Sequence, residues 1–273
     1  MTKEASPDTL YHYCGVNAFH GIITSRTLWL SHARYMNDVD EYNWFHEKVR
    51  KYITTLPDGG ESERYAILEE FVKELSSPYL FCLSSMRDLV TQWETYGQNG
   101  EGYAIGFDSQ CIRNVLSFGN AAFYAHLCEV DYSESNHDLM AETFVDEFRA
   151  IPEQDLSTLD AALSAIHLSV FAKQYKNPAY KQEAEWRIVL TPGTSSLVSS
   201  PAVYDVGPSP LLFREANGQK IPYFALRFPV EAVSEIWLGP KNSARSERGA
   251  LECFMRKNDY HNIRIVDSQA TYR

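Results

Sequence analysis

Between Tyr79 and Asp108 the chain sets two short apolar runs around a polar interval, and this stretch constrains the fold more than any other. Tyr79-Leu80-Phe81-Cys82-Leu83 has strand length and ends in Ser84-Ser85, and Gly102 to Phe107 follows the turn residues Asn99-Gly100 as a second strand. Between them Val90, Trp93 and Tyr96, three apart, fall along one side of a short helix. Asp88, Thr91, Gln92 and Glu94 supply polarity near the serines. Apolar strands that deliver polar residues to a shared edge are a common way of building a site on a scaffold. A core hairpin with a helical connection is the plainer alternative.

The flanking sequence continues the alternation of strands and helices. Thr9 to Tyr13 reads as a strand rich in β-formers, Val16 to Ser25 as a helix with Phe19, Ile22 and Ile23 on one side, and Leu28-Trp29-Leu30 as a second strand. That places His12 on a sheet beneath a short helix. Asp38 to Glu41 has the form of a capping box, followed by Tyr42, Phe45, Val49 and Tyr52 at helical steps. Pro57-Asp58-Gly59-Gly60 breaks this helix, and another carries Tyr65, Leu68, Phe71, Val72 and Leu75 up to Pro78.

Further on, Gln110 to Leu116 reads as a helix, 122 to 132 as a long strand, and 138 to 150 and 155 to 175 as two helices. Lys176-Asn177-Pro178 stops the last of these. Glu183 to Leu190 carries charges into an apolar strand, which sets Glu183, Glu185 and Arg187 on one face. Asn217-Gly218 is a hairpin turn between Leu211-Leu212-Phe213 and Tyr223 to Leu226. A strand ending at Ile236 to Pro240, a helix capped by Ser243 and running to about Met255, and a strand at Ile263 to Val266 close the chain. With no internal repeat and no linker, residues 1–273 read as one α+β domain behind a loose lead-in of residues 1–8.

Hydrophobic residues make up 44% and aromatics 13% of the chain, which is a globular composition. A net charge of −11 argues against tight nonspecific binding to nucleic acid or to an anionic membrane, since both require a basic footprint. The five cysteines are widely and irregularly spaced, so neither a zinc pattern nor a disulfide framework follows. Neither a signal-peptide core nor a run of about 20 apolar residues occurs, and the expectation is a soluble cytoplasmic protein without a membrane partner.

Walker, GxGxxG, GxSxG and HExxH motifs are absent from the sequence. His12, His20 and His32 are near one another in sequence but not at ligand spacing, and packed or surface histidines are the plainer account. What remains for chemistry is dispersed: His12 on the first strand, Ser84-Ser85 at the end of a middle strand, and Glu183 with Glu185 on a later one. Individually these are a packed histidine, a turn and a solvated face.

Their order resembles that of the ADP-ribosyltransferase superfamily, in which a His or Arg on the first strand, an aromatic or Ser-Thr-Ser element and a later Glu-x-Glu surround NAD. The chain also looks like a large bacterial family, domain of unknown function 2971. Leu10 to Tyr13, Leu28 to Leu30, Tyr35 to Asp38 with Glu41, Gln92-Trp93, Tyr96-Gly97, Gly102 to Phe107, Glu183 to Arg187 and Leu238-Gly239-Pro240 carry that likeness. The transferase resemblance implies a mixed, largely antiparallel split sheet with flanking helices, and NAD as substrate. The ADP-ribose acceptor is left undefined between protein, nucleic acid and water.

The same resemblance gives Glu185, more enclosed than Glu183, the stabilisation of an oxocarbenium-like ribose. It gives His12 the adenosine ribose and Ser84 and Ser85 the support of the site. Tyr13, Tyr35 or Tyr96 would stack on nicotinamide. The Leu-Ser-Ser element departs from Ser-Thr-Ser, and Arg187 is placed to neutralise the carboxylates. Two alternatives therefore stand beside the transferase: a non-catalytic nucleotide- or protein-binding sensor domain, and a metal-dependent nuclease or hydrolase using Asp38, Glu41, Glu183 and Glu185.

Overall fold

The computed structural model of the chain describes residues 7–36, 39–57, 63, 65–66, 78–117, 123–152, 172–192, 208–216 and 218–271. Ten strands among them form a mixed, mostly antiparallel sheet: β1 (Thr9–Cys14), β2 (Thr27–His32), β3 (Tyr79–Ser84), β4 (Tyr103–Asp108), β5 (Phe123–Glu129), β6 (Glu185–Pro192), β7 (Leu212–Ala216), β8 (Gln219–Arg227), β9 (Val233–Leu238) and β10 (Arg264–Asp267). Helices α1 (Val16–Ser25), α2 (Val39–Ile53), α3 (Val90–Thr95), α4 (Ser109–Leu116), α5 (Glu134–Arg149) and α6 (Arg248–Lys257) flank it. Only β9 and β10 pair in parallel among these strands.

Alternation sorts the side chains of each strand to two faces. Leu10, Phe81, Leu83, Ile105, Phe107, Ile188 and Leu190 meet Phe19 and Ile23 of α1, Ile112 of α4 and Met255 of α6 in the main core. Burial of the apolar side of α1 fixes its register, with Phe19 stacked on Tyr103 at 3.8 Å between ring centroids. A second core joins Phe45, Val49 and Ile53 of α2 to Ala141, Val145 and Phe148 of α5, with Tyr175 stacked on Phe45.

Several expectations change. Strands β3 and β4 are not neighbours, because β1 lies between them and pairs with both. Of the Val90, Trp93 and Tyr96 stripe only Trp93 is buried: the helix ends at Thr95, Tyr96 follows it as the C-cap, and both Tyr96 and Val90 are exposed. The helix expected from 138 is α5, which starts at Glu134 because the Ser133 hydroxyl caps it by accepting from Asn136 N. Ser243 does not cap a long helix. Asn242 caps a 3-10 turn over Ser243–Arg245, and α6 begins at Arg248. Asp38 and the side chain of Glu41 of the capping box, most of the helix around 65–75 and all but the end of the 155–175 helix lie outside the described residues. No helix among the described residues is long and apolar enough to cross a membrane.

Candidate functional site

The sheet is split at β3. Along one edge β3 pairs with β6 from Tyr79 to Ser84, but two strands divide its other edge. Strand β1 meets it at Tyr11↔Ser84, and β2 at Ser31↔Leu80 and His32↔Tyr79. Residues 81–83 face the gap where β1 and β2 diverge. His12 closes part of that gap, its Nδ1 lying 2.9 Å from the Cys82 carbonyl and its ring against Phe81 at 4.2 Å.

A carbonyl only accepts, so Nδ1 carries the proton and Nε2 is the acceptor. Burial lowers the His12 pKa to about 4, against the opposing pull of the Cys82 hydrogen bond, and the ring is neutral at pH 7.

A cavity of about 880 Å³ opens at this split, within the range of small-molecule sites. His12 and Tyr13 line it from β1, Asn17, Gly21 and Ile22 from α1, and Trp29 and Ser31 from β2. Phe81 and Cys82 form its floor on β3, while Gln92, Tyr96, Lys176, Tyr180, Glu183 and Glu185 gather at one end and Tyr35, Met36 and Arg214 at the other.

Glu185 opens strand β6 and pairs with Ser84, which in turn pairs with Tyr11. The first residues of the site therefore converge where β1, β3 and β6 meet, across two strand spacings of about 4.8 Å each. Glu185 is 5% exposed and ionised. Its burial alone would raise the pKa, but the Arg187 guanidinium and then Lys176 hold the carboxyl well below the usual carboxylate range. Arg187 donates from Nε to Oε1 at 2.8 Å and from Nη2 to Oε2 at 2.9 Å, and Lys176 Nζ donates to Oε2 at 3.0 Å.

Glu183 is not on this strand. It ends a 3-10 turn, Pro178–Glu183, and Ala184 then takes a left-handed conformation, so the two carboxylates do not share a strand face. Lys176 joins them instead, donating to Glu183 Oε2 at 2.6 Å while its Nζ lies 4.9 Å from the Tyr180 ring centroid. Two carboxylates thus face two cations, a locally neutral cluster at the cavity wall.

The serines are behind the cavity wall and not on it. Ser84 is buried, donates to the Glu183 carbonyl at 2.7 Å and accepts from Met86 N at 3.0 Å. Ser85 N–H bonds the Ala184 carbonyl at 2.9 Å, and its hydroxyl lies 3.4 Å from the same oxygen. Both hold the turn that presents the carboxylates.

Tyr13 reaches the cavity but is committed elsewhere, donating to the Met86 carbonyl, accepting from Leu89 N and packing edge-on to Trp93. Of the three tyrosines expected to meet nicotinamide, Tyr35 and Tyr96 keep 40% and 37% exposure in the cavity wall. Burial, and next the charge of Glu183, push the Tyr96 hydroxyl up to about 12, so it remains a donor.

Sequence reading missed Lys176, Tyr180, Trp29 and Arg214. Lys176 was legible only as a helix stop, and Arg214 follows the apolar run Leu211-Leu212-Phe213 and precedes Glu215 with nothing to mark it. Among the described residues no group of three or more His, Cys, Asp and Glu side chains is placed to hold a metal ion. Asp38 lies outside the described residues, as does the side chain of Glu41.

Residues 92–188 match the model of a family described as a protein of unknown function (DUF2971). The matched span contains Gln92, Tyr96, Lys176, Tyr180, Glu183 and Glu185, which line one end of the cavity, and Arg187, which pairs with Glu185 behind it. No curated protein and no solved structure matches the chain.

Proposed function

We propose that the cavity binds NAD and that the protein transfers ADP-ribose from it to an acceptor, or to water. The observation that carries this reading is Glu185: an enclosed, ionised carboxylate in the wall of a cavity opened by a split sheet, with neutral His12 at the split. The division of one β3 edge between β1 and β2 also supports an ADP-ribosyltransferase-like fold.

The chemistry balances without a further reactant. The bond between ribose C1′ and the pyridinium nitrogen breaks, and its electron pair leaves with neutral nicotinamide. C1′ gains oxocarbenium character that a nearby carboxylate stabilises in low dielectric. An acceptor hydroxyl or other nucleophile, or water, bonds to C1′ and gives up its proton to solvent. Glu185 is ionised, so its part is to accept from the ribose 2′-hydroxyl and to oppose the developing positive charge; it supplies no proton. Neutral His12 offers Nε2 as an acceptor to the second ribose, and Tyr96 or Tyr35 offers a ring to nicotinamide.

Incubating the protein with NAD and following nicotinamide release tests this reading. Release that disappears in Glu185→Gln supports it. Absence of release together with absence of NAD binding by calorimetry overturns it.

A second reading is favoured by one observation. Arg187 and Lys176 already occupy most acceptor positions of Glu185, as they would in a nucleotide-binding sensor domain without turnover. NAD binding without nicotinamide release selects it.

A further inference from the structure

Arg214 is a charged group of the cavity wall that the proposed chemistry does not use and that no carboxylate neutralises among the described residues. It stands on β7, the edge strand of the sheet, opposite Ile221 of β8. Its Nη2 donates to Ser31 Oγ at 3.2 Å, while its Nε is buried with no hydrogen-bond partner among the described residues. Among the described residues no carboxylate pairs with it. A buried guanidinium N–H left unmade is costly, and native structures rarely keep one without a reason.

The neighbours indicate what it is held for. Strand alternation puts Thr27, Trp29 and Ser31 of β2 on the same sheet face as Leu80, Cys82 and Ser84 of β3, and hence as Glu185. Trp29 leans on Tyr223 at 4.7 Å between centroids, yet remains 46% exposed beside the cavity. One flat aromatic surface and one anion fork therefore stand at the end of the cavity away from Glu185. Ser31 pairs with Leu80 and Glu185 with Ser84, so the two ends are about 13 Å apart along β3.

Arginine presents its donors in a planar fork that matches phosphate oxygens, and Trp offers a stacking face to any base. Lys176 and Arg187 do not compete for the anion, because Glu183 and Glu185 neutralise them. We propose that the β2–β8–β7 end of the cavity is a nucleotide subsite in which Arg214 takes a phosphate and Trp29 stacks the base. This deepens the reading of the cavity as a nucleotide site and assigns the distal half of the ligand to residues outside the 92–188 match.

Calorimetric titration of the full chain with ADP and, separately, with adenosine tests it. ADP is expected to bind more tightly than adenosine, and Arg214→Gln to lose about tenfold or more in ADP affinity with adenosine affinity unchanged. Arg214→Lys, which keeps the charge but not the fork, should fall between. Trp29→Ala should weaken both ligands. Unchanged adenosine binding in Arg214→Gln also shows that the variant is folded. ADP affinity insensitive to Arg214→Gln, or absence of ADP binding by the unmodified protein, overturns the subsite. Arg214-dependent ADP binding without nicotinamide release would sink the transferase reading and leave this one standing.

Discussion

Arg187 grips Glu185 from two positions further along the same strand, with two parallel hydrogen bonds and with both side chains buried. Residues i and i+2 of a strand share a face, so the pairing is built into the local backbone. Breaking such a pair strands the remaining charge. Arg187→Met leaves ionised Glu185 with Lys176 as its remaining cation and is expected to cost about 3–5 kcal/mol in urea unfolding. Glu185→Gln should cost less, because its amide oxygen still accepts from Arg187. A loss below about 1 kcal/mol for Arg187→Met would mean that the pair is solvated.

Acid sensitivity follows from three histidines. Burial lowers the pKa of His12, His32 and His46 to about 4 each, from 6.5. The folded protein therefore refuses protons that the unfolded chain accepts once the pH falls below 6.5. Stability is fully present above that value and declines as the pH falls toward about 4, where the folded histidines also protonate. The urea midpoint should drop through this window, and His12→Gln should shallow the slope. A midpoint flat from pH 6.5 to 4 would contradict the neutral, buried assignment.

Much of the frame was legible because local patterning agrees with it. The helix at Val16 to Ser25 occurs with the bounds that its Phe19 and Ile23 spacing indicates, and the strand at Tyr79 and the hairpin around Gly218 also stand where the sequence places them. Pairing was not legible. Nothing in either run says that β1 enters between β3 and β4, since that choice is made by long-range ladders.

The carboxylates show the limit at the site. A Glu-x-Glu preceding an apolar run reads as continuous strand, and only the left-handed Ala184 removes Glu183 from it. Arg214 is visible to sequence only as one of two adjacent charges, Arg214-Glu215, after an apolar run, because its meaning comes from Ser31, far away in the chain and adjacent in space.

Gly102 is required by a crossing of backbones and not by its own torsions. A Cβ there would sit 2.2 Å from the Cys14 carbonyl oxygen and 2.8 Å from that of Gly97, and neither is a flexible side chain that can yield. Gly102 N–H bonds Gly97 O, and its own carbonyl accepts from Gly239 N, which ties the entry of β4 to the exit of β9. Gly102→Ala is expected to destabilise by about 3 kcal/mol and to lower the melting temperature by several degrees. Gly249, whose added Cβ meets nothing, serves as the control, and equal effects at the two positions would refute the crowding.

Ser84 is a positioning residue, since its hydroxyl touches the turn behind Glu185 and not the cavity. Ser84→Ala removes the donor to the Glu183 carbonyl and the acceptor of Met86 N, at a cost of about 1–2 kcal/mol in stability. If NAD is turned over, the carboxylates shift relative to the ribose while the ligand-contacting walls remain. The expectation is a kcat about tenfold lower with KM nearly unchanged, because each 1.36 kcal/mol in the barrier is a factor of about ten. Ser84→Thr, which restores the hydroxyl, should recover most of the loss. A rise in KM with kcat unaffected would place Ser84 against the ligand and remove it from the support of the Glu183–Glu185 turn.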